Sequence, residues 1–228
     1  MGRRPGMWRR VVGSLLYGSL LMGATAHADT LLDFGIITPT TGSISYAGGG
    51  APLVGLGIDV DIVTSLPSGT SAACSGCVLN FTTGDLTGST ATSWDFGGSP
   101  LSSITIVGTV RDAGITTSTV LLTGHFGSAS VRTFGTTFKI AGASFEDTQE
   151  ADLLTYLGWP SGLYTGNFNI SFVATGSPSG AFTSTTVLSG DVVHAPVPEA
   201  ASTVLLGSAL AAIAYLARRW RWLAPRHH

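Results

Sequence analysis

The sequence predicts an all-β fold, an antiparallel β-sandwich or jelly roll formed by residues 29–193. Apolar side chains recur at every second position in several segments, and successive side chains of a strand point to opposite faces. Gly, Ser and Pro clusters separate these segments, and roughly eight to ten of them fit two packed sheets. A hydrophobic content of 44% indicates a packed core rather than disorder. The residues predicted to share buried faces are Ile58, Val60 and Ile62; Ile104 and Ile106; Phe134, Phe138 and Ile140; and Phe168, Ile170 and Phe172.

One segment, from Glu146 to Leu157, departs from this alternation. It lacks glycine, begins with acidic residues and is followed by Gly158-Trp159-Pro160. Acidic side chains favour a helix N-terminus, whereas Gly and Pro end helices. The segment therefore predicts a single short helix that crosses the sandwich.

The charges are sorted along the chain. Eight of the 11 Lys and Arg residues lie near the two ends, so the stretch from Asp29 to Glu199 holds all 13 acids but only three bases, a net charge of −10. Nucleic acids and anionic lipids are bound through Lys and Arg that neutralise phosphate. The acidic body therefore excludes nucleic acid as a partner, and it suits divalent cations or simple solubility.

The N-terminal residues 1–28 have the features of a secretory signal peptide. Four arginines precede a short apolar stretch, Val11–Met22, and the small residues Ala26 and Ala28 stand where signal peptidase cleaves. About a dozen apolar residues are too few to span a hydrocarbon layer of roughly 30 Å. We expect cleavage after Ala28 and a mature chain that begins at Asp29.

The C-terminal region contains 18 consecutive uncharged residues, 200–217, enough for a minimal transmembrane helix. Arg218, Arg219 and Arg221 follow this stretch, interleaved with two tryptophans. Arginines stay on the cytoplasmic side and tryptophans settle at the interface, so the helix should run from outside to inside. The body should then lie outside the inner membrane.

The motif Val197-Pro198-Glu199 stands immediately before this predicted helix. The order of the motif, an apolar helix and an arginine cluster resembles the PEP-CTERM sorting domain of Gram-negative bacteria, over residues 196–221. Ala200 departs from the family pattern, which more often has proline there. The resemblance implies processing by an exosortase, a membrane enzyme with a cysteine nucleophile. A plain C-terminal anchor is the alternative reading of the tail, residues 194–228, whose first residues are predicted to form a stalk.

Cys74 and Cys77 are the only cysteines of the chain. In an oxidising compartment a disulfide between them is the default expectation, with free thiols as the alternative. Zinc would need four ligands, and no second pair of cysteines exists. A redox role would need a thioredoxin-like βαβ context, which the surrounding residues do not provide.

Paired carboxylates are the remaining chemical candidates. Asp59 and Asp61 should share a strand face and Glu146 and Glu150 a helix face, spacings compatible with glycoside hydrolysis and also typical of a solvated surface. Calcium needs only oxygen ligands, but no EF-hand or nonapeptide loop assigns any. The histidines offer no catalytic motif: His125 is predicted in a turn and His194 in the stalk. No catalytic residue, metal ligand or cofactor is assigned.

Three functional hypotheses follow. The first is a non-catalytic surface or matrix protein that is associated with exopolysaccharide or biofilm. The second is an adhesive module that binds carbohydrate, or binds through calcium. The third is a glycoside hydrolase with an Asp/Glu pair. The expected partners are signal peptidase, an exosortase and the inner membrane during transit, before the protein reaches the cell surface or extracellular matrix.

Overall fold

A computed structural model of the chain describes residues 32–38, 40–176, 180–197 and 207–208. Ten strands account for most of these residues. A 3₁₀ turn, Arg111–Ala113, joins β6 to β7, and a short helix, α1 (Ala151–Leu157), joins β8 to β9. The strands are β1 (Leu32–Ile36), β2 (Ser43–Tyr46), β3 (Pro52–Ser65), β4 (Ser71–Thr90), β5 (Ser93–Gly97), β6 (Ser103–Val110), β7 (Ile115–Phe134), β8 (Thr137–Gln149), β9 (Tyr164–Gly176) and β10 (Phe182–Pro196).

The described strands pair antiparallel into one sheet that closes on itself. β3 pairs with β4, β4 pairs with both β5 and β6, and both of these pair with β7. The sheet continues through β8 and β9 to β10, which pairs with β1 and β2, and these return to β3. The predicted all-β class and antiparallel pairing are confirmed. The sequence predicts two sheets, whereas in the structure hydrogen bonds join the strands into one sheet. Each described strand has at least two partner strands.

The interior of the closed sheet is filled by aromatic side chains from opposite walls. Phe81 on β4 and Phe168 on β9 lie four pairings apart around the sheet, yet their ring centroids are 5.1 Å apart. Phe126 and Phe145 complete this cluster. Because inward side chains touch across the interior, the two walls pack face to face as the layers of one core.

The predicted buried faces are confirmed on β6 and β9, and on β3 and β8 they are confirmed except at Ile62 and Phe134. On β3 Val63 is buried and Ile62 is not, because a register shift between Val60 and Ile62 exchanges the faces. Phe134, predicted to share a buried face with Phe138, is 70% exposed. It is the last residue of β7, at a hairpin where Gly135 has φ +68°, so its side chain points outward.

The predicted short helix is confirmed, but it begins later than the sequence suggests. β8 continues through Gln149, so Glu146 lies in a strand. Glu150 is the N-cap, and its carboxylate accepts a hydrogen bond from the Leu153 amide at 2.8 Å. The helix ends at Gly158, which has φ +79° and satisfies the last carbonyls.

The last strand extends into the segment predicted to be a stalk. β10 reaches Pro196, and the Val197 amide donates to the Leu163 carbonyl at 3.1 Å. Residues Ala28–Val197 form a compact unit of their own. The folded body therefore includes residues 194–197, and this unit ends at Val197. Leu32 lies opposite His194, so β1 begins at the same rim where β10 ends; we call it the exit rim.

The segments predicted to carry targeting signals lie outside the described residues. These are the signal peptide with Ala26 and Ala28, the motif residues Pro198 and Glu199, and Arg218, Arg219 and Arg221. Of the predicted membrane helix, only Gly207 and Ser208 are described. Within the described ranges no helix is both long and apolar enough to cross a membrane.

Candidate functional site at the exit rim

The two cysteines form the predicted disulfide. Cys74 and Cys77 are bonded, with their Cα atoms 5.5 Å apart, and both are buried. The β4–β6 pairing shifts register between Ser75 and Val78, an interval that contains Cys77 and also Gly76, whose φ of +61° is open to glycine. The bridge therefore closes a bulge within a strand and does not link distant parts of the body.

The structure separates one of the two predicted carboxylate pairs. Glu146 and Glu150 do not share a helix face, because Glu146 points outward from β8 whereas Glu150 caps α1. The Asp59 carboxylate accepts hydrogen bonds from the amide and hydroxyl of Thr41, at 3.3 and 2.8 Å. The Asp61 carboxylate accepts one from the Ile37 amide at 2.7 Å. Both aspartates thus hold the β1–β2 connection against β3.

Neither histidine lies where the sequence predicts it. His125 belongs to β7 rather than a turn, and its Nδ1 is 2.6 Å from the Ser102 carbonyl oxygen. His194 belongs to β10 rather than a stalk, and its side chain is fully buried. Among the described residues, no group of three or more His, Cys, Asp or Glu side chains could hold a metal ion.

The buried His194 side chain pairs with Asp147 across a neighbouring strand. His194 Nδ1 lies 3.2 Å from Oδ1 and 3.1 Å from Oδ2 of Asp147, which is on β8, and neither side chain is exposed. β9 runs between them, and its Gly166 lies opposite both His194 and Phe145. A Cβ at Gly166 would stand 2.1 Å from the Phe145 ring. Glycine at this position therefore leaves the space in which the Phe145 ring packs, and that ring in turn meets the His194 ring.

The surroundings of the pair are mostly apolar. The rings of Phe34 and Phe145 meet the His194 ring edge to face, with centroids 5.7 and 5.5 Å away. The Gln149 side-chain amide donates to Asp147 Oδ2. His194 Nε2 has no hydrogen-bond partner in the described part of the chain. We call His194, Asp147 and Gln149 the polar clasp; it joins β8 and β10 across β9 inside the core.

Tyr164 extends this arrangement toward the surface of the exit rim. Its hydroxyl donates to the Pro160 carbonyl at 2.6 Å. Burial, and then the nearby Asp147 carboxylate, raises the pKa of Tyr164, so its hydroxyl remains a donor at neutral pH. Tyr164 lies opposite both Asp147 and Pro196. Tyr164 thus links the end of β10 to β9 and, through Pro160, to the connection between α1 and β9.

The geometry of the clasp favours positioning over catalysis. A general base must come within hydrogen-bond reach of its substrate. His194 and Asp147 have no exposed side-chain surface, so a substrate in solution cannot approach them in this arrangement. A buried polar pair is costly unless its two partners meet, so the contact favours the arrangement of β8 and β10 in which His194 reaches Asp147. The clasp fixes the end of β10, the part of the body from which the chain continues to the Pro198-Glu199 motif.

A further acidic residue near the clasp has a shifted pKa. Asp33 lies on the outer face of β1, where burial, and then repulsion from Asp191, raises its pKa, while His194 opposes the shift. Asp33 Oδ1 has no hydrogen-bond partner among the described residues. The folded body thus binds the Asp33 proton more tightly than the unfolded chain does, so the ionised carboxylate destabilises the fold.

Replacing Asp33 with Asn should therefore stabilise the protein in a pH-dependent way. In the wild type, the ionised Asp33 carboxylate lowers the free energy of unfolding. This loss is complete above the raised pKa of the folded state and disappears below the ordinary aspartate pKa of about 3.9. Thermal unfolding should show a higher Tm for the variant at pH 7, and the difference should shrink as the pH falls toward 3.9. Asp112→Asn, an exposed change in the 3₁₀ turn, is the control. A difference in Tm that does not vary with pH would show that ionisation of Asp33 is not what destabilises the fold.

Sequence reasoning missed the clasp because its partners are 47 residues apart in the chain. One local signal was present. In Phe145-Glu146-Asp147 the strand alternation places Asp147 on the same inward face as Phe145. A charged residue at an inward position predicts a buried partner, but nothing in the sequence identifies that partner as His194. Comparisons of the chain with protein-family models, with curated proteins and with solved structures found no match.

Proposed function

We propose that this protein is an exported surface or matrix protein with a sandwich-like β body, sorted by an exosortase through its PEP-CTERM-like tail. One observation carries the proposal. The body is hydrogen-bonded through Val197, and the motif continues with Pro198-Glu199 at the next residue. A cut within or after the motif would release the body complete, with the end of β10 and its clasp intact.

Several features of the body support an extracytoplasmic location. A disulfide persists in oxidising compartments and is rare in reducing ones. The described strands all have partners on more than one side, which limits the unpaired edges through which β proteins aggregate. The charge of −10 between Asp29 and Glu199 favours solubility. The signal-like N-terminus supplies the route across the inner membrane.

A role without catalysis fits the carboxylates best. Asp59 and Asp61 hold a backbone connection, Glu150 caps a helix, and Asp147 is buried in the clasp. Glycoside hydrolysis needs two carboxyl groups facing one sugar. The separation of Glu146 from Glu150 removes one of the two pairs that the sequence offers for that reaction.

Fractionation of a doubly tagged protein tests the sorting function. One tag follows His228 and the other is placed in the exposed β4–β5 turn. The wild type should lose the C-terminal tag and move outward. The variant Pro198→Ala/Glu199→Ala should keep both tags and stay in the inner membrane, because the apolar stretch is unchanged while the recognition motif is lost. Pro225→Ala, a change of the same kind beyond the arginine cluster, should behave as wild type.

Two results would overturn the sorting function. In a strain with an intact exosortase, the tags of the wild type would remain on one polypeptide. Alternatively, removal of the exosortase would leave the loss of the tail tag unchanged, which would assign that cleavage to another protease. A plain membrane anchor gives the first of these results, so the measurement separates the two readings of the tail.

A further inference from the structure

Two connections at the exit rim present apolar side chains to solvent. The β3–β4 hairpin carries Leu66, and the connection between α1 and β9 carries Leu163; their side chains are 47% and 48% exposed. Val197, the last residue of the compact unit, is also exposed, and its amide donates to the Leu163 carbonyl at 3.1 Å. Neighbouring apolar side chains that face solvent together mark an interaction surface, whereas single ones are normal.

Trp159 joins the two connections. Its side chain is only partly buried, and its indole N–H donates to Ser65 Oγ at 3.2 Å, directly beside Leu66 in the chain. The Ser65 carbonyl in turn accepts a hydrogen bond from the Gly69 amide at 2.8 Å, which closes the hairpin. These contacts hold four apolar side chains at one end of the sheet, and we call them the apolar rim: Leu66, Trp159, Leu163 and Val197.

The connections that form the apolar rim carry no charge, although the body around them is acidic. Residues 66–70 read Leu-Pro-Ser-Gly-Thr, and residues 158–163 read Gly-Trp-Pro-Ser-Gly-Leu. The acids Glu150 and Asp152 stand at the start of α1, whereas the apolar rim follows its end. The 3₁₀ turn that contacts α1 supplies one charge of each sign, Arg111 and Asp112. Binding by this rim would therefore depend on apolar burial and respond little to salt.

The sequence after the rim limits its distance from a membrane. Only Pro198 and Glu199 separate Val197 from the uncharged stretch 200–217. Three steps along the chain span at most about 11 Å. The polar layer of one leaflet is itself roughly 5–8 Å thick. When the uncharged stretch lies in a membrane, as in the proposed function, Val197 is therefore within reach of the lipid headgroups.

We propose that the apolar rim rests on the membrane surface while the tail is inserted, with Leu66 and Leu163 in contact with lipid. Trp159 suits the headgroup level, because tryptophan combines an apolar ring with a polar N–H. A contact of this size is weak by itself, but the short link makes it intramolecular and raises the effective concentration. This inference rests on the proposed function for the inserted tail and deepens it by naming the surface of the body that meets the membrane.

Lipid quenching of a site-specific fluorescent label tests the inference. The tailed protein, from a strain without an exosortase, is reconstituted at low density in phosphatidylcholine vesicles, with or without bromine on the upper acyl chains. The label is attached to Leu66→Cys or Leu163→Cys. Phe134→Cys is the control, because Phe134 is exposed at the β7–β8 hairpin, at the other end of β8 from α1. The two rim labels should lose emission in brominated vesicles, the control label should not, and added salt should leave the loss unchanged.

A charged variant shows whether the leucines cause the contact. Here the label is attached to Ser161→Cys, an exposed position in the same connection. Leu66→Asp/Leu163→Asp should lower the ratio of docked to undocked protein at least about tenfold, because a carboxylate loses its hydration in lipid. Phe134→Asp should leave the quenching as in the wild type. If the double variant fails to fold, the labels at positions 66 and 163 still decide the question.

Flotation and a water-soluble quencher separate the outcomes. If the tailed protein does not float with the vesicles, the tail is not inserted, and both the proposed function and this inference are overturned. If it floats but the rim labels keep their emission as the Phe134→Cys label does, only this inference is overturned. Rim labels that are shielded from iodide but not quenched by brominated lipid also overturn it, because a second copy of the protein would then cover the rim.

Discussion

Replacing Asp147 with alanine should lower the free energy of unfolding by about 2–6 kcal/mol, because a buried hydrogen-bonding group left without its partner costs about 1–3 kcal/mol and two groups lose theirs. The substitution leaves the fully buried His194 ring without its carboxylate and the Gln149 amide without its acceptor. Domains of this size are stable by about 5–15 kcal/mol, so this loss is a large fraction of the total. Urea denaturation followed by far-UV circular dichroism measures it.

Two control variants distinguish loss of the Asp147–His194 contact from a nonspecific loss of stability. Asp152→Ala removes an exposed acid on α1, five residues further along the chain, and should change stability by less than about 0.5 kcal/mol. The double variant Asp147→Leu/His194→Leu should lose less than the two single changes added together, because neither His194 nor Asp147 is left buried without its partner and only Gln149 loses its acceptor. A loss below about 1 kcal/mol for Asp147→Ala would contradict the role given to the clasp.

Replacing Phe168 with alanine should cost about 3–5 kcal/mol, the usual range for emptying a buried aromatic site. Phe168 is 0% exposed and contacts Phe81, Phe126 and Phe145. These rings come from four different strands, so the cavity cannot collapse without moving both walls. Thermal and urea unfolding should both report the loss.

Phe134 provides a matched control for this second prediction. It is the same residue type but is 70% exposed at the β7–β8 hairpin. Phe134→Ala should change stability by no more than about 0.5 kcal/mol in either direction. If Phe168→Ala and Phe134→Ala lower the free energy of unfolding equally, the contacts that Phe168 makes across the core do not contribute the expected stability.

The fold class could be predicted because strand alternation is a local property. Phe168, Ile170 and Phe172 all point inward as their spacing indicates. Closure of the sheet could not be predicted, because the pairing of β10 with β1 depends on contacts between the two ends of the body. Ile62 was misplaced for a related reason, since a bulge exchanges the faces of a strand without a clear sequence signal.

The error at the helix start has a simple physical cause. Acidic residues favour a helix N-terminus, but they also occupy the outer face of a strand. In β8 the carboxylate of Glu146 points outward and that of Asp147 inward, whereas only Glu150 acts as a cap. The buried pairing of Asp147 with His194 favours the strand over the helix at these residues. This contact joins residues that are far apart in the sequence, so the local pattern does not reveal it.

The same distinction applies to the candidate sites. The disulfide could be predicted because two lone cysteines three positions apart have no other partner. The cavity between the β4–β5 turn, the β7–β8 hairpin and the end of β9 could not, since its lining comes from segments that are far apart in sequence. Trp94 and Phe138 become neighbours only when β5 and β8 both pair with β7, and neither stands in a recognisable motif.

Intact-mass spectrometry of the protein recovered from outside the cell tests export and sorting in one measurement. We expect a mass for a chain that begins at Asp29, ends within or shortly after Val197-Pro198-Glu199, and is lighter by two hydrogen atoms because Cys74 and Cys77 are bonded. A mass that includes the arginine-rich tail to His228 would contradict sorting by cleavage. A mass that includes Met1 would contradict removal of a signal peptide.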